Sequence, residues 1–337
     1  MEMGMEDKIL MAHGAGGRLS RELVAHLVNC LGPACRNGMD DAAVVPGAER
    51  IAFTTDSFVV TPIFFPGGDV GKLAVCGTVN DLAMSGAVAL YLSLSLIIEE
   101  GLPMAELTRV ITSIREAALE AGVYIVTGDT KVVPHGAADK LFINTAGLGT
   151  ISHGINISGT LARPGDAIIL SGSIGDHGTT VMAQREGLRF SGELASDCAP
   201  LNGLVAAMIA VCPDIHVLRD PTRGGLATTL NEIAQQSSVG VVIEESAVPI
   251  RQPVKALCSL LGLDPFYVAN EGKLVSFLPE DKAEEVVAAM HREQYGTQAA
   301  IIGQVTAESV GRVTLKTSLG TTRVLSMLTG DLLPRIC

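Results

Sequence analysis

The sequence predicts a two-domain enzyme of the α/β or α+β class. A length of 337 residues is enough for about two domains. Hydrophobic residues make up 47% of the chain and charged residues 18%, so large cores can be buried, and 37 glycines indicate many tight turns. Strand-like and helix-like segments alternate in both halves, and the turn at 162–166 is the predicted boundary between the halves.

Apolar periodicity predicts the elements of each half in chain order. In the first half they are a helix over 18–30, a strand over 51–55, a helix over 71–87, a strand over 87–98, a helix beginning near 103, and strands over 122–127 and 142–151. In the second half they are strands over 167–170, 239–243, 273–278, 300–305, 312–316 and 321–325, and helices over 178–186, 201–211, 226–235, 253–261 and 280–293.

Composition and charge argue against several classes of protein. The net charge of −12 disfavours a nucleic-acid partner held through phosphate contacts. The longest apolar stretch, 87–98, is too short to span a bilayer, and the acidic N-terminus does not resemble a signal peptide. The seven cysteines include no Cys-x-x-Cys pair, which favours free thiols in a reducing, cytoplasmic compartment.

Aspartates recur where predicted strands end and in glycine turns. The set is Asp40, Asp41, Asp56, Asp81, Asp129 and Asp220, of which Asp81 interrupts an otherwise apolar helix. Clustered carboxylate oxygens suit Mg²⁺, which in turn bridges the phosphates of a nucleotide. Each aspartate taken alone also fits an ordinary turn or helix cap. Together they favour a metal cluster.

Four further features carry chemical hypotheses. Lys131 follows Asp129 in a predicted turn, where a cation can contact a phosphate or a reacting oxygen. Glu271 precedes an apolar strand and is either a general base or a plain turn charge. His177, in a Gly-Asp-His-Gly turn, is either a base or a turn residue. The glycine loop 13–17 precedes a helix and can present backbone N–H groups to a phosphate, although a flexible loop explains it equally well.

The last residue of the sequence is Cys337. A terminal residue is tethered at one end only, so it can move into a pocket and out again. Its thiolate is a strong nucleophile and a good acyl carrier. A frayed end that happens to carry a cysteine is the alternative. Leu332, Leu333 and Ile336 favour a docking segment, and Pro334 restricts its conformations.

Several motifs resemble the PurM-like (aminoimidazole ribonucleotide synthetase) superfamily. Its ATP-binding half is resembled by Asp40-Asp41-Ala42-Ala43, Thr54-Thr55-Asp56-Ser57, the segment 77–86 (GTVNDLAMSG) and Gly128-Asp129-Thr130-Lys131. Its second domain is resembled by the turn 220–225. Within the superfamily, the glycine loop, the turn 171–178 and above all Pro334-Arg335-Ile336-Cys337 are similar to the HypE family of hydrogenase maturation proteins. The resemblance covers essentially the whole chain.

The resemblance implies a two-domain fold, α+β in its first domain and α/β in its second. The first domain, over 36–155, is expected to contribute strands to a β-barrel across a homodimer. The second covers 160–325. A glycine loop and helix over 1–35 precede them, and a flexible C-terminal tail over 326–337 carries Cys337.

The resemblance also implies an activity. It implies ATP-dependent dehydration of a carbamoyl group carried on the terminal cysteine, which supplies cyanide ligands for the iron of nickel–iron hydrogenase. The implied carbamoyl donor is the carbamoyltransferase HypF, and the implied cyanide acceptor is a HypC–HypD complex.

We assign hypothetical roles to individual residues from the chemistry that this implied activity requires. Cys337 is the expected carrier, Glu271 the expected base, and Lys131 the expected stabiliser of the reacting oxygen or phosphate. The expected ATP-binding residues are Gly14, Gly16, Gly17, Asp41, Asp56, Asn80, Asp81, Gly128, Asp129 and Arg223. The expected Mg²⁺ ligands are Asp41, Asp56, Asp81, Asp129 and Asp220.

Two alternatives stay open at this point. Another PurM-like enzyme, such as a thiamine-phosphate kinase or a selenophosphate synthetase, would act on a diffusible substrate and would not need Cys337. A non-catalytic scaffold or nickel–iron metallochaperone would use the same thiol as a metal ligand.

Overall fold

The computed structural model describes residues 8–14, 18–35, 47–188, 194–328 and 336. The residues predicted above for the site that lie outside these ranges are Gly16, Gly17, Asp40, Asp41 and Cys337.

The first domain is built on a four-stranded sheet. Its strands in chain order are β1 (Ile51–Phe58), β2 (Phe64–Phe65), β3 (Gly68–Asp69), β4 (Ala87–Glu99), β5 (Tyr124–Val133) and β6 (Leu141–Ile151). β2 and β3 form a small hairpin, and the other strands form the sheet in the order β1-β6-β4-β5. β6 runs antiparallel to β1 and β4, whereas β4 and β5 are parallel.

Helices pack on one face of this sheet. They are α1 (Arg18–Leu31), α2 (Val70–Met84) and α3 (Met104–Ala121). α2 contacts the sheet and α3, and α1 packs on α3 from outside. α2 begins after Asp69, whose carboxylate accepts hydrogen bonds from the backbone N–H groups of Gly71 and Lys72 at 2.8 and 3.0 Å. Its residues are small or apolar on nearly every side, which is typical of a helix buried all round.

The other face of the first sheet carries several exposed apolar side chains. Side chains alternate along β1, so Ile51 and Phe53 are 58% and 67% exposed whereas Phe58 is buried. Val88 and Ile97 of β4 are exposed on the same side, because β6 aligns them with the outward residues of β1. We call this surface, defined by Ile51, Phe53, Val88 and Ile97, the outer face.

The second domain is built on a seven-stranded sheet. Its strands are β7 (Asp166–Leu170), β8 (Val217–Arg219), β9 (Gly240–Glu244), β10 (Val275–Pro279), β11 (Ala300–Thr306), β12 (Val313–Lys316) and β13 (Thr322–Leu325). They lie in the order β13-β12-β9-β11-β7-β10-β8 and pair antiparallel except for β9 with β12. Its helices are α4 (Asp176–Arg185), α5 (Asn202–Val211), α6 (Gly225–Gln236), α7 (Gln252–Leu261) and α8 (Ala283–Met290). None of the helices in the described ranges is long and apolar enough to cross a membrane.

Helices cover both faces of the second sheet, as the alternation along β7 shows. Ile168 and Leu170 belong to a core that includes Leu226 of α6. Ile169, between them, belongs to a separate core that includes Leu204 of α5 and residues of α8. Strand alternation therefore separates two cores within one domain.

Two predictions about local structure are wrong, and one short strand was not predicted. The predicted turn at 128–131 is strand, because β4 pairs with β5 along this whole stretch, as at Ser95 and Asp129. The short strand β8 has no prediction over it, since three residues are too few to show a period. The predicted helix over 280–293 is a 3₁₀ turn, Glu280–Lys282, followed by the shorter α8.

Candidate functional site

A cleft of about 820 Å³ opens between the two domains. Its walls come from β1 and α2 of the first domain, and from the turn before α6, α6 itself and Glu271 of the second. Its charged side chains are Asp56, Asp81, Arg219, Asp220, Arg223, Glu232 and Glu271. A polar cleft of this size at a domain interface is a common place for a small-molecule site.

The first domain contributes two aspartates from a strand and a helix that approach closely. Asp56 lies on the inward face of β1, since its immediate neighbours along the strand are exposed. Thr54, two residues earlier on that face, donates a hydrogen bond from Oγ1 to Oδ2 of Asp81 at 2.8 Å. A Cβ at Gly77 would lie 2.9 Å from the ring of Phe58, so glycine at this position lets α2 approach β1.

The second domain contributes Asp220, which directly follows β8. The turn from Asp220 into α6 requires glycine, because Gly224 and Gly225 have φ angles of 76° and 61°. A Cβ on Gly225 would also lie 2.6 Å from the carbonyl oxygen of Phe266. Packing against that loop therefore holds the turn, and the turn holds the carboxylate at the cleft.

Burial and mutual repulsion disfavour the ionised form of two acidic side chains in the cleft. Burial raises the pKa of Asp220 to about 7, and the neighbouring carboxylate of Asp81 adds to the effect. Burial also raises the pKa of Asp81, although the hydrogen bond from Thr54 opposes the change. Neighbouring carboxyl groups whose pKa values are raised by burial and by each other indicate a site that favours a cation.

The donor set fits a hard cation such as Mg²⁺, which prefers oxygen ligands. A bound cation would also relieve the repulsion between the carboxylates. In the part of the chain that the structure describes, no three His, Cys, Asp or Glu side chains lie close enough to hold a metal ion by themselves. An ion here would therefore complete its coordination with other oxygens, such as those of phosphate or water.

Glu271 is buried in the wall of the cleft, with 4% of its surface exposed. Its Oε1 atom has no hydrogen-bond partner among the described residues. Burial, and then the interactions with Cys198 and Asp220, raise the pKa of Glu271 well above its usual range. A carboxyl of this kind is an effective proton acceptor once it has lost its own proton.

The loop that carries Glu271 is held by a buried ion pair. The carboxylate of Asp197 accepts hydrogen bonds from the backbone N–H groups of Glu271 and Gly272 at 3.2 and 3.4 Å. It also pairs with Nζ of Lys273 at 3.3 Å. The sequence does not indicate a role for Asp197 or Lys273, because the two residues are far apart in the chain and form their ion pair only in the folded protein.

Asn80, predicted to bind the nucleotide, is 2% exposed and does not line the cleft. Its Nδ2 donates hydrogen bonds to the carbonyl oxygens of Ala199 and Glu271 at 3.1 and 3.4 Å, and its Oδ1 accepts one from the N–H of Leu201 at 2.8 Å. Asn80 therefore links α2 to the second domain. Its contact with a nucleotide stays a prediction.

The structure does not bring the predicted residues of β5 into the cleft of the same chain. Gly128, Asp129 and Lys131 lie on β5, at the opposite edge of the sheet from β1. Asp129 and Lys131 point to the side of the outer face, next to Ile97, and their side chains pair at 3.0 Å. That hydrogen bond lowers the pKa of Asp129. Gly14, at the end of the 3₁₀ turn Met11–Gly14, does not line the cleft either.

Ile336, near the C-terminus, contacts the second domain at His177. Ile336 is 3% exposed, and its carbonyl oxygen lies 2.9 Å from Nε2 of His177. His177 is itself fully buried at the start of α4. The sequence suggested a base or a turn residue at this position, so this contact is a feature that sequence reasoning missed. Only the fold brings residues 177 and 336 together.

Comparisons with known proteins agree with this architecture. The profile of the AIR synthase related protein, N-terminal domain, matches residues 39–151, and that of its C-terminal domain matches residues 163–316. Carbamoyl dehydratase HypE of Azotobacter vinelandii is 51% identical over 331 residues, which cover 97% of this chain and 96% of the relative.

Two solved structures are also similar to this chain. The crystal structure of hydrogenase maturation protein HypE in complex with ATP is 51% identical, with a TM-score of 0.93 over 97% of this chain and 99% of that one. The crystal structure of a HypE–HypF complex contains a chain that is 46% identical, with a TM-score of 0.81 over 93% of this chain and 100% of that one.

The two sheets and the acidic cleft between them define a two-domain protein of the AIR synthase related class. Within that class, the chain belongs to the HypE family of carbamoyl dehydratases, which function in hydrogenase maturation. The resemblance drawn from the sequence motifs is thereby confirmed, and so is the two-domain PurM-like fold.

We expect the ligand-free protein to lose stability between about pH 4 and pH 7 through Asp220. The unfolded carboxyl ionises near its ordinary pKa, whereas the folded one keeps its proton until about pH 7. The variant Asp220→Asn cannot ionise, so it should match the wild type near pH 4. It should be more stable by about 4 kcal/mol at pH 8, because the pKa is raised by about three units and each unit corresponds to about 1.4 kcal/mol.

Urea unfolding at both pH values measures this difference. Asp281→Asn, on the exposed surface, serves as the control and should show no such crossover. If the stability of Asp220→Asn depended on pH as that of the wild type does, Asp220 would not have the raised pKa on which this prediction rests.

Proposed function

We propose that this chain dehydrates a carbamoyl group held on its own Cys337, using ATP, and so produces a thiocyanate that supplies cyanide for nickel–iron hydrogenase. The observation that carries the proposal is the buried Glu271, which lines the cleft while the residue before Cys337 docks on the same domain. The end-to-end similarity to relatives named carbamoyl dehydratase HypE supports it.

The chemistry requires an activated oxygen and a base. Attack of the carbamoyl oxygen on the γ-phosphorus of ATP forms an O–P bond and releases ADP. Loss of both protons from the nitrogen and cleavage of the C–O bond then give C≡N and free phosphate. Phosphate leaves readily where hydroxide does not, which is why the reaction consumes ATP.

Glu271 is the group that suits the base. Its Oε1 is free of partners among the described residues, so it can accept a proton from the carbamoyl nitrogen. Its raised pKa increases its affinity for that proton. Asp197 and Asn80 fix the loop backbone beneath it, which limits the distances that the carboxylate can sample.

Glu271→Gln should slow dehydration by about 10²–10⁴-fold, the range typical of losing a general base, and should leave carbamoylation of Cys337 unchanged. The assay incubates the protein with the carbamoyltransferase HypF, carbamoyl phosphate and ATP, then weighs the C-terminal peptide. Carbamoylation adds the carbamoyl mass, and dehydration removes one water. Cys337→Ala should carry neither modification.

Glu280→Gln, an exposed substitution of the same kind, is the control and should behave like the wild type. Normal dehydration by Glu271→Gln would remove the assigned role of that residue. A wild-type tail that is never modified, together with turnover of a free substrate, would instead favour the thiamine-phosphate kinase type of enzyme. An unmodified tail that binds metal through the thiol would favour a metallochaperone.

We infer that the cleft binds ATP together with Mg²⁺. A relative of this chain has been crystallised in complex with ATP. Arg219 and Arg223 line the cleft and suit phosphate, while Asp56, Asp81 and Asp220 suit the cation. From its sequence motif, we propose Asp41 as a further ligand of both ATP and Mg²⁺. We also propose, from the glycine loop of the sequence, that ATP contacts Gly14, Gly16 and Gly17.

Removal of Mg²⁺ with EDTA should weaken ATP binding by at least about tenfold, because phosphate charge would then face the aspartates directly. Asp56→Asn should weaken binding in Mg²⁺ and strengthen it in EDTA, since it removes a ligand in the first case and a repulsion in the second. Isothermal titration calorimetry in both buffers measures the crossover. Equal affinity with and without EDTA would argue against a metal-dependent site.

We further propose that the outer face is a homodimer interface. Four apolar side chains there are 42–67% exposed, which is unusual for a surface that stays in water. A second copy would bury them and complete a barrel with the four strands of the first sheet. Gly128, Asp129 and Lys131 lie on β5 at that interface, so any part they play in nucleotide chemistry requires the second copy.

Phe53→Asp should convert the dimer to a monomer, because it places a charge where the most exposed apolar side chain of the outer face would be buried. Size-exclusion chromatography with light scattering gives the mass directly. Leu319→Asp is the control, since Leu319 is 89% exposed on the β12–β13 hairpin and away from this face. An unchanged mass for Phe53→Asp, or a monomeric wild type, would eliminate the interface.

We also propose HypF as the carbamoyl donor and a HypC–HypD complex as the cyanide acceptor, with the reaction taking place in the cytoplasm. A relative of this chain has been crystallised with HypF. The same peptide-mass assay tests the acceptor. Splitting a thiocyanate into a thiolate and cyanide takes up two electrons, so HypC–HypD is added to the cyanated protein together with a two-electron reductant. Cys337 should return to the free thiol faster than it does with the reductant alone. Retention of the cyano group would count against that acceptor.

A further inference from the structure

We infer that His177 is the positioning residue that docks the C-terminal segment, through a hydrogen bond from its Nε2 to the main-chain carbonyl of Ile336. The inference deepens the proposed function and rests on it, because that function requires the segment before Cys337 to be held in place. It is the hydrogen bond that the structure describes at Ile336, the residue immediately before Cys337.

The ring of His177 is held from three sides. Nε2 lies 2.9 Å from the carbonyl oxygen of Ile336, and Nδ1 lies 2.8 Å from Oγ of Ser196. The ring of Phe65 packs edge-on against it, with centroids 5.4 Å apart and an angle of 87° between the planes. A fully buried imidazole with this many neighbours has one orientation, so its donor points at a fixed place.

The partners also determine which nitrogen carries the proton. A carbonyl oxygen only accepts, so Nε2 must be the donor. Burial lowers the pKa of His177, which favours the neutral ring, and Nδ1 then accepts from the hydroxyl of Ser196. Oγ of Ser196 in turn accepts from the backbone N–H of Cys198 at 3.1 Å. The chain of bonds therefore runs in one direction, from Cys198 through Ser196 and His177 to Ile336.

The same short elements hold both the docked segment and the proposed base. The N–H of Gly178, next to His177, donates to the carbonyl of Ala269 at 3.0 Å, and Ala269 lies two residues before Glu271. The side chain of Ile336 is 3% exposed and belongs to the apolar cluster that includes Ala269. The position at which Ile336 docks on His177 is therefore fixed relative to the loop that carries Glu271.

The hydrogen bond to the main chain fixes the register of the docked segment, which apolar burial alone does not. Burial of Ile336 favours docking but permits sliding, because apolar contacts are not directional. A hydrogen bond to the carbonyl of the residue immediately before Cys337 sets how far the segment is inserted. Small errors in placement of a reacting group reduce rates strongly, so a register contact next to the carrier residue is where such control is most effective.

Two substitutions of His177 separate the donor from the packing. His177→Phe keeps an aromatic ring beside Phe65 but removes the donor. His177→Gln retains an N–H donor at about the distance of Nε2. The matched control is His291→Phe, because Nε2 of His291 also bonds a main-chain carbonyl, that of Ala299, at 2.8 Å and at a different place in the second domain.

Two readouts are measured on the full-length protein. The first is the rate at which iodoacetamide alkylates Cys337, followed by the mass of the C-terminal peptide. The second is the single-turnover rate of ATP-dependent dehydration after carbamoylation. His177→Phe should accelerate the first and slow the second by about 5- to 50-fold, the effect of leaving a buried carbonyl without its partner. His177→Gln should stay within about threefold of the wild type, and His291→Phe should match it.

The inference is overturned if folded His177→Phe shows wild-type alkylation and dehydration, or if His177→Gln fails as completely as His177→Phe. Thermal melting and ATP binding report whether each variant is folded. Ser196→Ala provides a second route should His177→Phe not fold, since it removes the hydroxyl that selects the Nε2–H form. Like His177→Phe, it should accelerate alkylation and slow dehydration, but by smaller factors. Wild-type rates in Ser196→Ala would then overturn the inference.

The alkylation readout keeps this inference distinct from the proposed function. If the wild type never dehydrates its tail but His177→Phe still exposes Cys337 to alkylation, docking stands and the assigned reaction fails. If the wild type dehydrates normally and His177→Phe does so equally well, the reaction stands and the docking role fails.

Discussion

The side-chain amide of Asn80 is the contact on which the cleft depends. It lies on α2, the helix that the first domain buries most completely, and it bonds the backbone of the second domain at Ala199, Leu201 and Glu271. A buried amide left without partners costs about 1–3 kcal/mol, so this bonding strongly favours one arrangement of the two domains. The cleft between them, and the depth of Glu271 within it, follow from that arrangement.

The electrostatics of the cleft follow from the same closeness. Asp81 is brought beside β1 by Gly77, and Asp220 is brought to the cleft by the glycine turn before α6. Neither carboxyl is fully solvated, and burial raises the pKa of both. In the proposed function, a bound cation would offset the free-energy cost of holding these acidic groups close together. Such a site would favour the proposed ligand, a nucleotide whose phosphates carry a divalent cation.

A substrate that is part of the same chain changes what the site must recognise. A diffusible substrate needs binding contacts over its whole surface, whereas a tethered one arrives at high effective concentration and needs mainly orientation. Burial of Ile336 and its bond to His177 suit that need, because the first draws the segment in and the second sets its register. Contacts of modest strength also permit release, which a carrier requires if it serves more than one partner.

The sequence alone determined the class of fold and much of the cleft. Alternation of strand and helix periods, together with the motifs around Asp56, Asp81 and Asp220, was sufficient because these features are local and repeat along the chain. Glu271 and Arg223, also chosen from the sequence, lie in the same cleft.

Tertiary structure decided the rest, through pairings between residues far apart in the chain. Strand pairing with β4 turned the predicted turn at Asp129 and Lys131 into β5 and pointed both side chains away from the cleft. Domain packing gave Asn80 backbone partners more than a hundred residues away, and it brought His177 to Ile336. Periodicity specifies which face of an element is buried, but only the folded chain specifies what that face meets.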